Sequence, residues 1–183
     1  MLEATEALLG DGVAYPELSI ERIATRAGIS RTAFYFYFRD KREVLLRLTE
    51  DVADRLYGEA DIWFSGQGDA EDELRQAIGN VARLYREHGA VLRAIVEGAT
   101  FDEEIARFWH AILARFVEAT RRRIEAEQRA GRAAAAEAAA TAFALCWMTE
   151  RAFHQQLVQG EPLATDELVG ALTGIWVRGV YGV

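Results

Sequence analysis

The chain has 183 residues and a formal charge of −8, a length that suits one large domain or a small head on a larger body. Its single cysteine, Cys146, excludes an intrachain disulfide and fits a reducing compartment. No run approaches the ~18 uninterrupted apolar residues of a membrane span, and the N-terminus lacks a basic-then-apolar leader, so a cytoplasmic protein without membrane contact is expected.

The acidity also excludes a generally basic nucleic-acid coat, but the charge is uneven. Between Arg22 and Arg47 seven basic residues (Arg22, Arg26, Arg31, Arg39, Lys41, Arg42, Arg47) stand against Asp40 and Glu43, a local net of +5. A small DNA-reading head carries such a patch, and so does an ordinary solvated face.

In chain order, Pro16 lies in a connection, and Ser19 precedes "IERIATRAG" as a helix cap. Ser30 precedes "RTAFYFYF" in the same way, and Asp40 with Glu43 forms a variant capping box at the head of a long helix. Asp69 opens the next segment. Thr100 with Glu103 reads as a capping box before Ile105, Phe108, Trp109, Ile112, Leu113, Phe116, Val117 and Ile124, which recur at three and four. The run from Ala133 to Ala142 reads as the start of the helix containing "ATAFALCWMTERAFHQQL", whose Ala, Leu and Met favour helix. Pro162 lies in a connection, and Thr165 opens the last segment. No βαβ alternation and no internal repeat occurs, so the chain is expected to be all-α with about nine helices.

The stretch "ISRTAFYFYFRDK" holds five consecutive aromatics, Phe34 to Phe38. At period two it is a strand; at 3.6 it is a helix with Phe34 and Phe38 on one face. A lone strand in a helical chain has no partner, so helix is expected, with Arg31, Thr32 and Tyr35 outward. "SIERIATRAGISRTAFYFYF" then parses as helix, short turn with Gly28 free to take positive φ, and a second helix capped by Ser30. That is a helix-turn-helix plan, whose second helix enters the DNA major groove.

The longer string "LSIERIATRAGISRTAFYFYFRDKREVLL" resembles the DNA-binding head of the TetR family of bacterial regulators. The matching residues are Tyr35, Tyr37, Phe38, Lys41, Leu45 and Leu46. Further likeness to the mycobacterial ethionamide-pathway repressor branch lies in "AGISR", "FYFYF" and a C-terminal "ER…GE…IWV…YG", here Glu150, Arg151, Gly160, Glu161, Ile175 to Val177, Tyr181 and Gly182. The resemblance implies a helix-turn-helix head over 1–47 and an effector-binding and dimerisation body over 48–183. It implies that Arg31, Thr32 and Ala33 face bases while Tyr35, Tyr37 and Lys41 hold phosphates. Arginine can bridge guanine O6 and N7, and tyrosine hydroxyls or an ammonium suit the backbone. The chain opens almost within its first helix, so minor-groove contacts by a basic arm are not assigned.

The family resemblance further implies a homodimer on a palindromic double-stranded DNA operator, acting as a repressor released by a small hydrophobic effector. Three stripes supply a wall for that effector: Trp109, Leu113, Phe116 and Thr120; Leu74, Ile78, Val81 and Tyr85; Cys146, Thr149 and Phe153. Trp176 would reach in from the last helix. By spacing alone these stripes are core; the resemblance makes them a pocket. Where the similar branch has two asparagines this chain has Cys146 and Thr149, so its ligand preference is not carried over. Dimerisation is expected through helices from about Ala135 to Gly160 and Thr165 to Tyr181, with Gly170, Gly174 and Gly179 allowing close approach.

The competing classes are an enzyme and a helical binding protein without DNA function. A di-iron bundle needs Glu-x-x-His pairs, but Glu150 and His154 are four apart and His88 and His110 lack partners. No phosphate loop or nucleophile elbow appears either. No metal, cofactor or catalytic residue is expected.

Overall fold

The structure is a computed structural model describing residues 1–134, 137–160 and 163–182. Nine α-helices and no strand occur among the described residues.

The head is built from α1 (Leu2–Gly10), α2 (Ile20–Arg26) and α3 (Arg31–Phe34). Ser19 Oγ accepts the Arg22 amide at 3.2 Å, and Ser30 Oγ accepts the Ala33 amide at 3.0 Å, so both expected serine caps form. Gly28 takes φ +68° between them, the left-handed conformation that lets the chain reverse onto α3. As an α-helix α3 is one turn long. Amides of Phe36, Tyr37 and Phe38 then bond back to the carbonyls of Ala33 and Phe34 and turn the chain outward. Phe34 is wholly buried, with its ring centroid 5.9 Å from Phe38 and 5.7 Å from Tyr35.

Helix α4 (Lys41–Phe64) starts at Asp40, whose carboxylate accepts the Glu43 amide at 2.9 Å. Glu43 returns a bond from the Arg39 amide at 2.7 Å, closing the expected box one residue early. Its 24 residues run unbroken across the expected 47/48 boundary, a rod of about 36 Å at 1.5 Å per residue. The other body helices are α5 (Ala70–Glu87), α6 (Gly89–Gly98), α7 (Glu103–Arg129), α8 (Ala138–Phe153) and α9 (Thr165–Tyr181). Helix α4 packs on α5 and α7, α5 on α9, and α7 on α8, enclosing a common core.

Two expected boundaries move. Helix α7 is capped by Asp102, which accepts the amides of Glu104 and Ile105, not by Thr100. Thr100 instead donates its hydroxyl to the Glu97 carbonyl at 2.7 Å, because it belongs to the turn that closes α6. The alanine run does not start α8 until Ala138, and the Ala134 amide donates to the Val180 carbonyl at 2.9 Å, tying that stretch to α9. The last helix does run from Thr165 to Tyr181 as expected, with Ala164 as its cap. Ala135, the expected start of α8, lies outside the described residues, as do Glu161 and Pro162. After Phe153 the helix widens into a π-turn over His154–Val158.

Head and body meet where α4 begins. Arg42 pairs with Asp102 and Glu104, both at 3.1 Å, so the first turn of α4 is bonded to the start of α7. Tyr15 stacks on Phe101 beside it with centroids 6.3 Å apart. Burial, reinforced by Asp102 and Asp40, pushes the Tyr15 phenol up to about 12, so it stays neutral.

Lys41 has a different place from the one expected. Its ammonium donates to the carbonyls of Tyr15, Pro16 and Leu18 at 3.0, 3.0 and 2.8 Å and sits 4.8 Å from the Tyr15 ring centroid. An ammonium has three donors, and all three are used, so none is left for a phosphate. Lys41 clamps the α1–α2 connection to α4. Lys41→Met should therefore cost about 1–3 kcal/mol of stability, since it removes the donor from three carbonyls, of which the Tyr15 carbonyl keeps only the Leu18 amide. Denaturant unfolding measures this; an unchanged midpoint would contradict the clamp.

Candidate DNA-reading face and apolar cavity

Two regions carry chemistry. The first is the exposed side of α3 and its exit. Arg31 and Thr32 stand outward, Ala33 is half-buried, and Tyr35 and Tyr37 are 49% and 70% exposed. Arg31 donates to the Tyr35 hydroxyl at 3.5 Å, a weak contact that leaves most of its guanidinium free. Phe36 is 82% exposed between these tyrosines, a large apolar surface to which the sequence reading assigns no role.

Much of the basic patch is internally neutralised. Arg26 pairs with Asp11, Arg39 with Glu43, Arg42 with Asp40, Asp102 and Glu104, and Arg47 with Glu50 and Asp51. Among the described residues, Arg22 and Arg31 are the cations of the patch without a carboxylate or carbonyl partner for the side chain. The half-buried or exposed pairs are each worth ~0–1 kcal/mol, weak enough to exchange for another anion.

The second region is a cavity of about 90 Å³ in the body. The structure brings together around it every residue of the three stripes, with Trp176. Trp176 Nε1 donates to Thr149 Oγ1 at 2.8 Å, and Thr120 Oγ1 lies 3.3 Å from Cys146 Sγ. The three polar or soft groups expected to meet a ligand are thus already paired within the wall. Burial pushes the Cys146 thiol up to about 11, so it packs as a neutral thiol.

Besides Ala77 and Ile112, the sequence reading missed two larger contributions. Helix α4 supplies Leu56, Ala60, Trp63 and Phe64, and the Trp63 ring stands edge-on to Trp176 at 5.5 Å. Its spacing of four, three and one was a visible helical stripe. Glu150 also lines the cavity, one turn beyond Cys146 on the same face of α8. It is 3% exposed, and neither carboxylate oxygen has a hydrogen-bond partner. Burial raises its pKa above the usual carboxylate range, with Arg151 opposing. The signal was a carboxylate at helical spacing within an otherwise apolar stripe.

The three glycines divide. Gly170 faces open space, while a side chain at Gly174 would meet the Arg178 guanidinium. A β-carbon on Gly179 would touch Leu145 at 3.6 Å, so this glycine serves the contact of α9 with α8 inside the protomer. Among the described residues, no group of three His, Cys, Asp or Glu residues is placed to hold a metal ion. Nor is any described helix long and apolar enough to cross a membrane.

A serine-capped recognition turn, carried by a helix-turn-helix head on one long helix that also walls a body cavity, defines a helix-turn-helix regulatory protein. Comparison with known proteins agrees. The family model "Bacterial regulatory proteins, tetR family" matches residues 1–48, and "Transcriptional regulator EthR, C-terminal domain" matches 74–182. The HTH-type transcriptional regulator EthR of Mycolicibacterium smegmatis is 32% identical over 186 residues, covering 98% of this chain and 84% of that protein. EthR of Mycobacterium tuberculosis H37Rv is 31% identical over 192 residues, covering 100% and 86%. Among solved structures, FadR from Bacillus subtilis in complex with stearoyl-CoA superposes with a TM-score of 0.81 at 13% identity, covering 97% of this chain and 96% of that one. The chain belongs to the TetR family of transcriptional regulators, with an EthR-type C-terminal domain.

Glu150 gives a signed stability prediction. A folded pKa above the unfolded value adds stability that is complete below the ordinary carboxylate pKa and is lost as pH rises through the folded value. Glu150→Gln should therefore raise Tm over wild type at pH 8, with the gap closing towards pH 4. Each kcal/mol is worth about 2–4 °C in a chain of this size. Thermal unfolding across pH checks it; a gap independent of pH contradicts a buried, unpartnered carboxylate.

Proposed function

We propose that the protein is a homodimeric repressor that leaves a palindromic operator when an apolar or aromatic small molecule enters the body cavity. The observation that carries this reading is that α4 both bears the head, through Lys41, and walls the cavity, through Leu56, Ala60, Trp63 and Phe64. A molecule that spreads this wall tilts the rod that positions the recognition turn.

On DNA, Arg31, Thr32 and Ala33 face base edges, with Tyr35 and Tyr37 on phosphates. Lys41 supports that surface from behind. Phe36 presents an apolar edge suited to a thymine methyl. The head over 1–47 and the body over 48–183 act as functional units although α4 is continuous through the junction. The dimer forms through the outer faces of α8 and α9, where Phe143 is 57% and Ile175 43% exposed beside Gly170 and Gly174. Exposed aromatic and aliphatic side chains beside the open Gly170 suit close helix packing between two copies. Because the protein acts on DNA, it works in the cytoplasm.

Selection of bound duplexes from random DNA supplies the operator for two measurements. Arg31→Ala should weaken operator binding by ~1–3 kcal/mol and relax preference at one base pair in each half-site. Equal affinity for the selected operator would exclude Arg31 from base reading. Ile175→Glu should sediment as a monomer at micromolar concentration and lose operator binding, whereas a full-strength dimer would move the interface elsewhere.

A further inference from the structure

In the cavity wall one polar group stands apart from the rest. Trp176 and Thr149 satisfy each other, as do Thr120 and Cys146. Glu150 alone lines the cavity with both side-chain oxygens lacking a hydrogen-bond partner at 3% exposure. Its neighbour Arg151 comes no nearer than Nε at 3.8 Å, too long for a hydrogen bond, and lies half in solvent. A carboxyl group buried in this way costs stability unless something donates to it.

The surroundings narrow the class of donor. Tyr85, Phe153 and Trp176 line the same cavity, with Tyr85 and Phe153 rings 5.3 Å apart. Aromatic faces attract cations, and an ionised carboxylate accepts hydrogen bonds and compensates positive charge. A carboxylate among aromatic rings in an apolar cavity matches a hydrophobic amine: an ammonium for Glu150 and a hydrocarbon or aryl tail for the remaining wall. A carboxylate ligand would meet the ionised Glu150 as a like charge and is disfavoured.

We infer that the effector is a hydrophobic amine whose ammonium binds Glu150 and whose apolar tail fills the cavity between α4, α5, α7 and α8. This rests on the effector reading of the cavity given above and specifies its ligand class. Glu150 is then the residue that sets specificity. The contracted cavity opens as the tail enters, which links recognition of the amine to movement of α4.

The test uses four probes with the same phenylbutyl core: phenylbutylamine with its amine at the chain end, the alcohol phenylbutanol, the hydrocarbon pentylbenzene and the acid phenylpentanoate. Each is titrated into the full-length wild type and Glu150→Gln, read by the fluorescence of Trp63, Trp109 and Trp176 and by release of labelled operator. The amine should bind wild type at least tenfold tighter than the alcohol, and the acid should bind most weakly. Glu150→Gln should lose at least tenfold in amine affinity while binding pentylbenzene as well as or better than wild type. Equal loss for amine and hydrocarbon overturns the inference. The wild-type series stands without the variant, and amine no tighter than alcohol also overturns it. If pentylbenzene binds and releases the operator with no Glu150-dependent preference for the amine, only the amine inference falls. If no probe enters the cavity, the effector reading falls, and this inference with it.

Discussion

The structure turns on α4 being one uninterrupted helix. Its first turn is fastened on two sides, by Lys41 to three carbonyls of the head and by Arg42 to Asp102 and Glu104 at the start of α7. Its last two turns are cavity wall. An α-helix without proline or an inserted side chain bends only gently, so displacement at Trp63 reaches Lys41 as tilt and is not absorbed between them. Helix α7 forms a parallel connection: Asp102 caps it and holds Arg42, and Trp109, Leu113 and Phe116 face the cavity further along. Both routes from cavity to head therefore converge on the residues around Arg42.

The size of the cavity matters to that coupling. A dry cavity of roughly 150 Å³ accommodates benzene, whereas this one measures about 90 Å³. Any larger molecule must displace its walls, so the occupied and empty shapes differ. A ligand shifts the DNA-binding equilibrium only by its difference in affinity for the two shapes, typically ~1–3 kcal/mol. Internal pairing of Thr149 with Trp176 and of Thr120 with Cys146 stabilises the contracted form, because opening exposes groups that are now satisfied.

Much of this was legible in the sequence, for local reasons. Serine and aspartate caps, the glycine between α2 and α3, and apolar spacing at three and four each depend on a few neighbouring residues. The structure forms the caps at Ser19, Ser30, Asp40 and Asp69, and gathers the stripes around one cavity. What escaped depends on contacts distant in sequence. Lys41 reads as a surface cation, and only the fold brings the carbonyls of Tyr15, Pro16 and Leu18 to it. The alanine run has the intrinsic propensity to start a helix earlier, yet the bond from Ala134 to Val180 diverts the chain first. Thr100 fits a capping box, but Asp102 is a better acceptor two residues nearer the helix. Glu150 was visible as a residue, but its burial without a partner depends on contacts distant in sequence.

The proposed coupling of cavity to head is read most directly by the distance between the two heads of the proposed dimer. Glu21 is exposed on α2, so Glu21→Cys takes a spin label while buried Cys146 remains unlabelled. Pulsed electron resonance then gives the label separation in the free dimer, on the selected operator and with pentylbenzene bound. Operator should narrow the distribution around one separation, and pentylbenzene should move it away from that separation as DNA affinity falls. Release of DNA by pentylbenzene with the label separation unchanged would contradict transmission through α4.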